Sequence, residues 1–153
     1  KAIIINADSS TPMLPVWMPD RLFDASDSIG NVLSALEINT ALVAERVCVL
    51  KDYPFIGVMG YSAGETPFSY PELKYEKIRQ LILEAAKLVD FIILDCSSHV
   101  INFFTPTAIE ASDHTGSARG ELLKSAPAAA HRCQISFRGS FNVCRHGPAV
   151  PCH

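Results

Sequence analysis

Two uninterrupted apolar runs in this sequence each end at an acidic residue. The first covers residues 2–5 and reaches Asp8 after two further residues, and the second covers residues 91–94 and ends directly at Asp95. Continuous apolar runs of this length are typical of strands buried on both faces, as in parallel sheets. Because open α/β sheets bind ligands at the carboxyl ends of their strands, we expect both carboxylates at one functional edge. The alternative interpretation is that each acid starts a turn.

The rest of the pattern predicts an α/β domain in which helices alternate with strands. The predicted elements are helices at Ser28–Glu37, Thr40–Glu45, Pro71–Val89 and Thr105–Ser112 and strands at Val47–Leu50 and Phe55–Met59. The clearest helix is the one that runs up to Val89, because its apolar residues keep one face throughout. It leads directly into the second apolar run, and a helix followed by a buried strand is half of a βαβ unit. A mostly parallel sheet flanked by helices follows from this order.

Two loops interrupt the pattern. Residues 12–20 hold three prolines and the only tryptophan, Trp17, so we expect no regular helix there but a loop that packs through its apolar side chains. Residues 60–65 place two glycines after a predicted strand, as phosphate-binding loops do. Because no Gly-Lys-Ser/Thr follows, and Pro67 and Pro71 come next, we expect an ordinary loop.

Composition narrows the classes of function. The 153 residues suffice for one domain with a core, and 48% apolar against 19% charged residues indicates a globular chain. A net charge of -3 argues against an autonomous nucleic-acid surface, although direct DNA binding stays open. No apolar run approaches the roughly 20 residues of a membrane span. Cys48 and Cys96 lie in apolar surroundings, as reduced core thiols of a cytoplasmic protein do.

The two acids suit a hydrated divalent cation. Mg²⁺ favours one or two carboxylates together with hydroxyls, waters and phosphates, and the hydroxyl-rich stretch Ser9-Ser10-Thr11 follows Asp8. We therefore expect Asp8 and Asp95 to form a metal site, with loop capping by Asp8 as the simpler alternative. His99 is a candidate acid–base group, but a lone loop histidine is more often a packing or surface residue.

Three stretches together resemble a known family. They are Asn6-Ala7-Asp8-Ser9-Ser10-Thr11, Asp90-Phe91-Ile92-Ile93-Leu94-Asp95-Cys96 and Thr107-Ala108-Ile109-Glu110-Ala111-Ser112-Asp113. The first is similar to the Asp-x-Asp strand end of the ParA/MinD-type ATPases, which are deviant-Walker P-loop proteins. The second resembles their Walker B strand, and the third resembles the helix after it. The likeness covers Lys1 to about Asp113 and is greater to ParA-like proteins of mobile or conjugative elements of Gram-positive bacteria.

This resemblance implies a three-layer, P-loop NTPase-like fold of the SIMIBI type, with ATP and Mg²⁺ as cofactors. It implies that Asp95 holds Mg²⁺ through water and that Asp8 is the catalytic residue near the attacking water or the metal. Ser9 and Thr11 are then expected in the adjoining loop beside the nucleotide. Asn6 stands where the family often has its first Asp, which removes one charge. The resemblance also implies a homodimer and a protein partner in a partition, positioning or conjugative-transfer system.

Two features depart from the family pattern. The Gly-x-Gly-Gly-x-Gly-Lys-Thr loop, called Walker A, should precede the Asp8 strand by one helix and does not occur in Lys1–His153. The fold is therefore expected to be truncated at its N-terminus. After residue 114, a polar, glycine-bearing stretch replaces the expected buried strand. We therefore divide the chain into a partial nucleotide-hydrolase core, residues 1–114, and an irregular tail, residues 115–153, that is either disordered or non-native.

The tail has metal-binding residue types, which are His131, Cys133, Cys144, His146, Cys152 and His153. They suit zinc by type, but their spacings match no standard zinc module, and a disulfide is a further alternative.

Two other functions are alternatives to an ATPase. A non-catalytic interaction module would retain the family sheet without nucleotide chemistry. A receiver domain with Asp95 as phospho-acceptor fits less well, because Asp8 and Asp95 lie too far apart in sequence for such a domain.

Overall fold

A computed structural model describes residues 1–66, 68–70, 73–96, 104–117 and 140–145, with strands 114–117 and 140–145 described by their backbone alone. The strands are β1 (Ala2–Asn6), β2 (Cys48–Leu50), β3 (Tyr53–Gly60), β4 (Phe91–Cys96), β5 (His114–Ser117) and β6 (Ser140–Arg145). The helices are α1 (Leu14–Trp17), α2 (Ile29–Ser34), α3 (Thr40–Arg46), α4 (Tyr75–Ala86) and α5 (Phe104–Ala111), with a 3₁₀ turn at Ala25–Asp27.

The described strands form one sheet in the order β2-β3-β1-β4-β6-β5. β1 lies at its centre and pairs in parallel with β3 on one side and with β4 on the other. β2 pairs antiparallel with β3, so the two strands predicted around residue 52 form a hairpin. The α/β class is confirmed, with a mixed sheet whose three central strands are parallel. β2 is a three-residue edge strand whose register against β3 shifts between Val49 and Leu50.

One face of the sheet, here called the helix face, carries the main core. Alternate strand residues point to it, and those of β1 and β4 are Ile3, Ile5, Ile92, Leu94 and Cys96. The helices α2 to α5 cover this face with Ile29, Val32, Leu33, Val43, Ile78, Leu81, Ile82, Ala85, Phe104 and Ala108. The apolar residues that recur every 3.6 positions in the helices thus pack against alternate residues of the strands in one apolar layer.

The opposite face of the sheet, here called the second face, has a smaller core. Leu14 of α1, Cys48 and Val58 are buried there, and Ile4 and Trp17 pack partly against them. At the β4 end of this face Phe91 remains 42% exposed. Cys48 and Cys96 are both buried in the core, as the sequence predicted.

The expectation of no helix in residues 12–20 was wrong for four residues. α1 forms one turn there, with Pro15 within its first two positions. Proline is tolerated at this point because the first N–H groups of a helix have no intrahelical partner. The prediction that this segment packs through apolar side chains is confirmed by Leu14, which is fully buried.

Three predicted helix limits differ from the structure by three residues or more. They are the end of α2 and both limits of α4, which ends at Ala86 rather than Val89. α2 ends at Ser34 rather than Glu37, because the chain turns extended at Ala35. Lys77 of α4 donates from Nζ to the carbonyl oxygens of Ala35 and Leu36, at 2.7 Å each, so carbonyl groups just beyond α2 are satisfied by a neighbouring helix. α4 begins at Tyr75 rather than Pro71, because Lys74 has extended backbone.

Two strands lie at or beyond the predicted boundary at residue 114. β6 pairs antiparallel with β4 over residues 140–145, and β5 pairs with β6. Part of the segment expected to be irregular is therefore described as strand. Of the proposed zinc ligands, Cys144 is a residue of β6, which is described by its backbone alone. The other five lie outside the described residues, as does His99.

Candidate functional site at the carboxyl ends of the central strands

The carboxyl ends of β1, β3 and β4 meet at one edge of the sheet. Asn6, the last residue of β1, lies in register with Gly60 of β3 and with Asp95 of β4. The N–H of Ala7 extends this pairing and donates to the carbonyl oxygen of Asp95 at 2.8 Å. The expectation that the strands leading to Asp8 and Asp95 end at the same edge is confirmed by this register.

Asn6 connects the Asp95 carboxylate with the loop after β1. Its Nδ2 donates to Asp95 Oδ2 at 3.0 Å, and its Oδ1 accepts from the backbone N–H of Met13 at 3.2 Å. Asn6 is only 1% exposed, so both ends of a buried amide are satisfied. Within the described part of the chain, no second hydrogen bond to the Asp95 carboxylate is formed.

The electrostatics of Asp95 are those of a half-buried acid beside another acid. Burial raises the pKa of Asp95 above its usual value, and the negative charge of Asp8 raises it further. The hydrogen bond from Asn6 acts in the opposite direction, because it stabilises the charged form. Asp8 and Asp95 are therefore close enough to interact, and a cation between them would relieve their repulsion.

Asp8 itself organises the loop that follows β1. Its Oδ1 accepts from the N–H of Ser10 at 2.9 Å, and its carbonyl oxygen accepts from the N–H of Thr11 at 3.4 Å. This is the loop-capping geometry that the sequence offered as the simpler alternative. Ser9 is partly buried and Thr11 is exposed at the tip of this loop. Asp8 retains its second carboxylate oxygen for other contacts, so capping does not exclude metal binding.

A cluster around Glu65 lies beside this edge and was missed by sequence reasoning. Glu65 Oε2 accepts from the hydroxyl of Ser28 at 2.6 Å and from the N–H of Ser62 at 2.8 Å. Glu65 Oε1 accepts from the hydroxyl of Tyr70. The carboxylate thus joins the loop after β3 to the start of α2. The Ser28 N-cap signal was visible in the sequence, but its partner, 37 positions away, was not.

Tyr61, the residue directly after β3, is close enough to this cluster and to Asp8 to feel their charges. Burial raises its pKa to about 12, and the nearby Glu65, Tyr70 and Asp8 add to the effect. The side chain is only 4% exposed. Tyr61 therefore remains a neutral phenol at physiological pH, and it is a second residue near Asp8 that the sequence pattern did not indicate.

The loop from Gly60 to Glu65 does not have the features of a phosphate cradle. Gly64 adopts φ +82°, a conformation that suits glycine. The N–H of Ser62, which a phosphate would need, already donates to Glu65. The presence of a carboxylate inside the loop also disfavours an anion. The prediction of an ordinary loop agrees with this geometry.

The described residues contain no group of three or more His, Cys, Asp and Glu side chains able to hold a metal. Asp8 and Asp95 form at most a two-carboxylate site with Asn6 beside it, which suits only a cation that keeps most of its water. No helix in the described ranges is long and apolar enough to cross a membrane.

Comparison of the chain with protein-family models, with curated proteins and with solved structures gave no match.

Proposed function

We propose that this chain is the partial core of a ParA/MinD-type nucleotide-binding ATPase of the partitioning, positioning or conjugative-transfer type. The observation that carries the proposal is the parallel pairing of β1 with both β3 and β4. It brings Asn6 and Asp95 into register at one edge, with Asp8 two residues beyond Asn6. The finer fold assignment, a three-layer P-loop NTPase-like sheet of the SIMIBI type, belongs to the same proposal.

In this proposal Asp95 holds Mg²⁺ through a water molecule. One of its oxygens, Oδ2, is already engaged by Asn6, so the other is the one that faces the metal's water shell. Mg²⁺ favours such sites because it dehydrates reluctantly and keeps several waters. The cation offsets the burial of Asp95 and its repulsion from Asp8, the two effects that raise the pKa of Asp95.

Asp8 is proposed to lie near the attacking water, with Ser9 and Thr11 beside the nucleotide. Because the Asp8 carboxylate caps its own loop through Ser10, its position is fixed before any ligand binds. Preorganisation of this kind lowers the cost of assembling a reactive geometry. The proposal further includes a cytoplasmic homodimer that forms around nucleotide and acts with a protein partner.

Phosphate binding is the step for which this sequence lacks the motif that P-loop proteins use. P-loop proteins hold the triphosphate with backbone N–H groups at a helix N-terminus, a lysine and the metal. No Walker A sequence occurs in Lys1–His153, and the Ser62 N–H is already occupied. Micromolar affinity corresponds to about 8 kcal/mol. We therefore expect ATP to bind weakly or not at all to this chain alone.

The test is calorimetric titration of ATP with Mg²⁺ into two proteins. One is the chain Lys1–His153, and the other is lengthened by the residues that its gene encodes before Lys1. We expect Mg²⁺-dependent binding and slow hydrolysis only in the lengthened protein. Asp95→Ala in that protein should abolish both. Asp90→Ala is the matched control, because Asp90 precedes the same strand at its opposite end and its side chain is 69% exposed.

Two results would contradict this proposal. The first is an upstream sequence without a Walker A motif, or a lengthened protein that binds no ATP. The second is tight ATP binding that Asp95→Ala leaves unchanged, because the β1–β4 edge would then play no part.

A non-catalytic interaction module is the second candidate. The observation that favours it is the incompletely covered second face, where Phe91 is 42% exposed and Ile93 only partly buried. If the lengthened protein fails to bind nucleotide while remaining folded, this candidate takes precedence.

A further inference from the structure

The side-chain amide of Asn6 is held in one orientation by two partners of opposite type. The ionised Asp95 carboxylate can only accept a hydrogen bond, and the Met13 N–H can only donate one. Nδ2 must therefore point to Asp95 and Oδ1 to Met13, as the distances of 3.0 and 3.2 Å require. If the Asp95 end is released, the bond from Met13 alone holds the amide, which is then freer to rotate and holds Met13 less firmly.

Met13 is the residue that starts α1. It occupies the N-cap position of that turn, and the next residue, Leu14, is fully buried on the second face. Gly60 leaves the room for this arrangement, because a Cβ there would lie 3.3 Å from both Asn6 Cβ and Leu14 Cγ. Asn6 and Leu14 therefore lie close together around Gly60, at the start of α1.

The far end of α1 carries a natural probe. Trp17 is its last residue and the only tryptophan in the chain. It is partly buried and packs against the second core. Because Trp17 is two hydrogen bonds and one helical turn away from Asp95, its surroundings depend on the same connection.

We propose that Asn6 is a positioning residue that couples the state of the Asp95 carboxylate to the α1 segment, residues 13–17. Only the identity of the ligand that acts on Asp95 rests on the proposed function. The coupling itself is a property of the free protein. Through this coupling, a ligand that binds Asp95 at the sheet edge would change the α1 segment on the second face.

Hydrogen exchange of the Met13 amide tests this coupling without nucleotide or metal. Asp95 forms no hydrogen bond with the Met13 amide, whose partner is Asn6, so direct bonding alone predicts no effect of Asp95→Ala on that amide. The proposal predicts exchange faster by roughly three- to tenfold, the effect of weakening one hydrogen bond. Acrylamide quenching of Trp17 should increase in the same variant. Asp90→Ala should change neither quantity.

The decisive comparison repeats Asp95→Ala in an Asn6→Ala background, where its effect on Met13 should vanish. Asn6→Asp is a second background that conserves shape. It keeps an acceptor for Met13 but no donor for Asp95, so Asp95→Ala should relieve repulsion there and not speed exchange. An unchanged Met13 amide in Asp95→Ala overturns the proposal, and so does an equal acceleration in either background.

The outcome is distinct from that of the nucleotide titration. Coupling through Asn6 without ATP binding by the lengthened protein supports this inference and contradicts the proposed function. ATP binding without coupling does the reverse.

Discussion

Replacement of Gly30 by alanine should destabilise the protein, although the same change in an exposed helix is stabilising. Gly30 is the second residue of α2, and the ring of Tyr70 occupies the space that a Cβ at this position would need. A Cβ at Gly30 would lie 2.6 Å from Tyr70 Cζ and nearer still to two other ring carbons. The ring cannot stay, because real Cβ contacts of this length essentially never occur.

The magnitude follows from two opposing contributions. Displacement of the ring breaks the hydrogen bond from the Tyr70 hydroxyl to the Glu65 carboxylate, and a bond to a charged group contributes about 1.5–3 kcal/mol. Alanine gains roughly 0.5–1 kcal/mol over glycine within a helix. The difference is a net loss of roughly 0.5–2.5 kcal/mol. In a chain of this length each kcal/mol lowers Tm by about 2–4 °C.

The assay is urea unfolding of Gly30→Ala in three backgrounds. In the wild-type background, the free energy of unfolding should fall by the amount above. With Tyr70→Ala the obstacle is gone, so Gly30→Ala should raise stability by roughly 0.5–1 kcal/mol. Tyr70→Phe keeps the ring without its hydroxyl, so Gly30→Ala breaks no hydrogen bond to Glu65 there and should be less destabilising than in the wild type by about 1.5–3 kcal/mol. If the sign of the effect is the same with and without the Tyr70 ring, the steric argument is refuted.

Three further changes test other parts of the structure. Because the pKa of Asp95 is raised above its ordinary 3.8, its contribution to stability is fully present below pH 3.8 and is lost as pH rises through the raised value. Asp95→Asn should therefore be more stable than the wild type at pH 7, with the advantage vanishing in acid, as urea unfolding at a series of pH values would reveal. An advantage that grows in acid would contradict this sign. Leu14→Ala should cost about 2–5 kcal/mol in thermal or urea unfolding, whereas Val16→Ala, 65% exposed in the same turn, should cost little, and equal losses would mean that α1 is not anchored by Leu14. Lys77→Met should lower the free energy of unfolding by about 0.5–1.5 kcal/mol, because it keeps the apolar stem and removes the donor to two carbonyls. An unchanged free energy of unfolding in urea would show that this contact does not stabilise the fold.

The strands were predictable from sequence because burial on both faces leaves an unbroken apolar run. β4 was expected over the run that ends at Asp95, and β1 over residues 2–5, and both lie within a residue of these limits. Their common edge was inferred from the acids, and the register of Asn6 with Asp95 shows in addition that the two strands are neighbours. The turn at Leu14–Trp17 was not expected, because proline is unfavourable inside a helix, whereas Pro15 lies in the first turn, where proline is tolerated.

The surroundings of the site were less accessible to sequence reasoning. Glu65 meets Ser28 and Tyr70 through tertiary contacts that no local period encodes. Asn6 was noticed only as a missing charge. Its double role, with one partner seven positions away and another 89 positions away, depends on strand pairing. Local patterns thus specified where the strands end, and long-range packing determined which side chains meet there.

The short edge strand β2 limits how copies of this protein can associate. An exposed strand edge is a template for pairing with another chain, and proteins commonly blunt it with short strands and bulges. β2 has three residues, and its register against β3 is interrupted between Val49 and Leu50. A neighbouring chain would find few aligned N–H and C=O groups at this border. Continuous sheets across two molecules are therefore disfavoured on the β2 side.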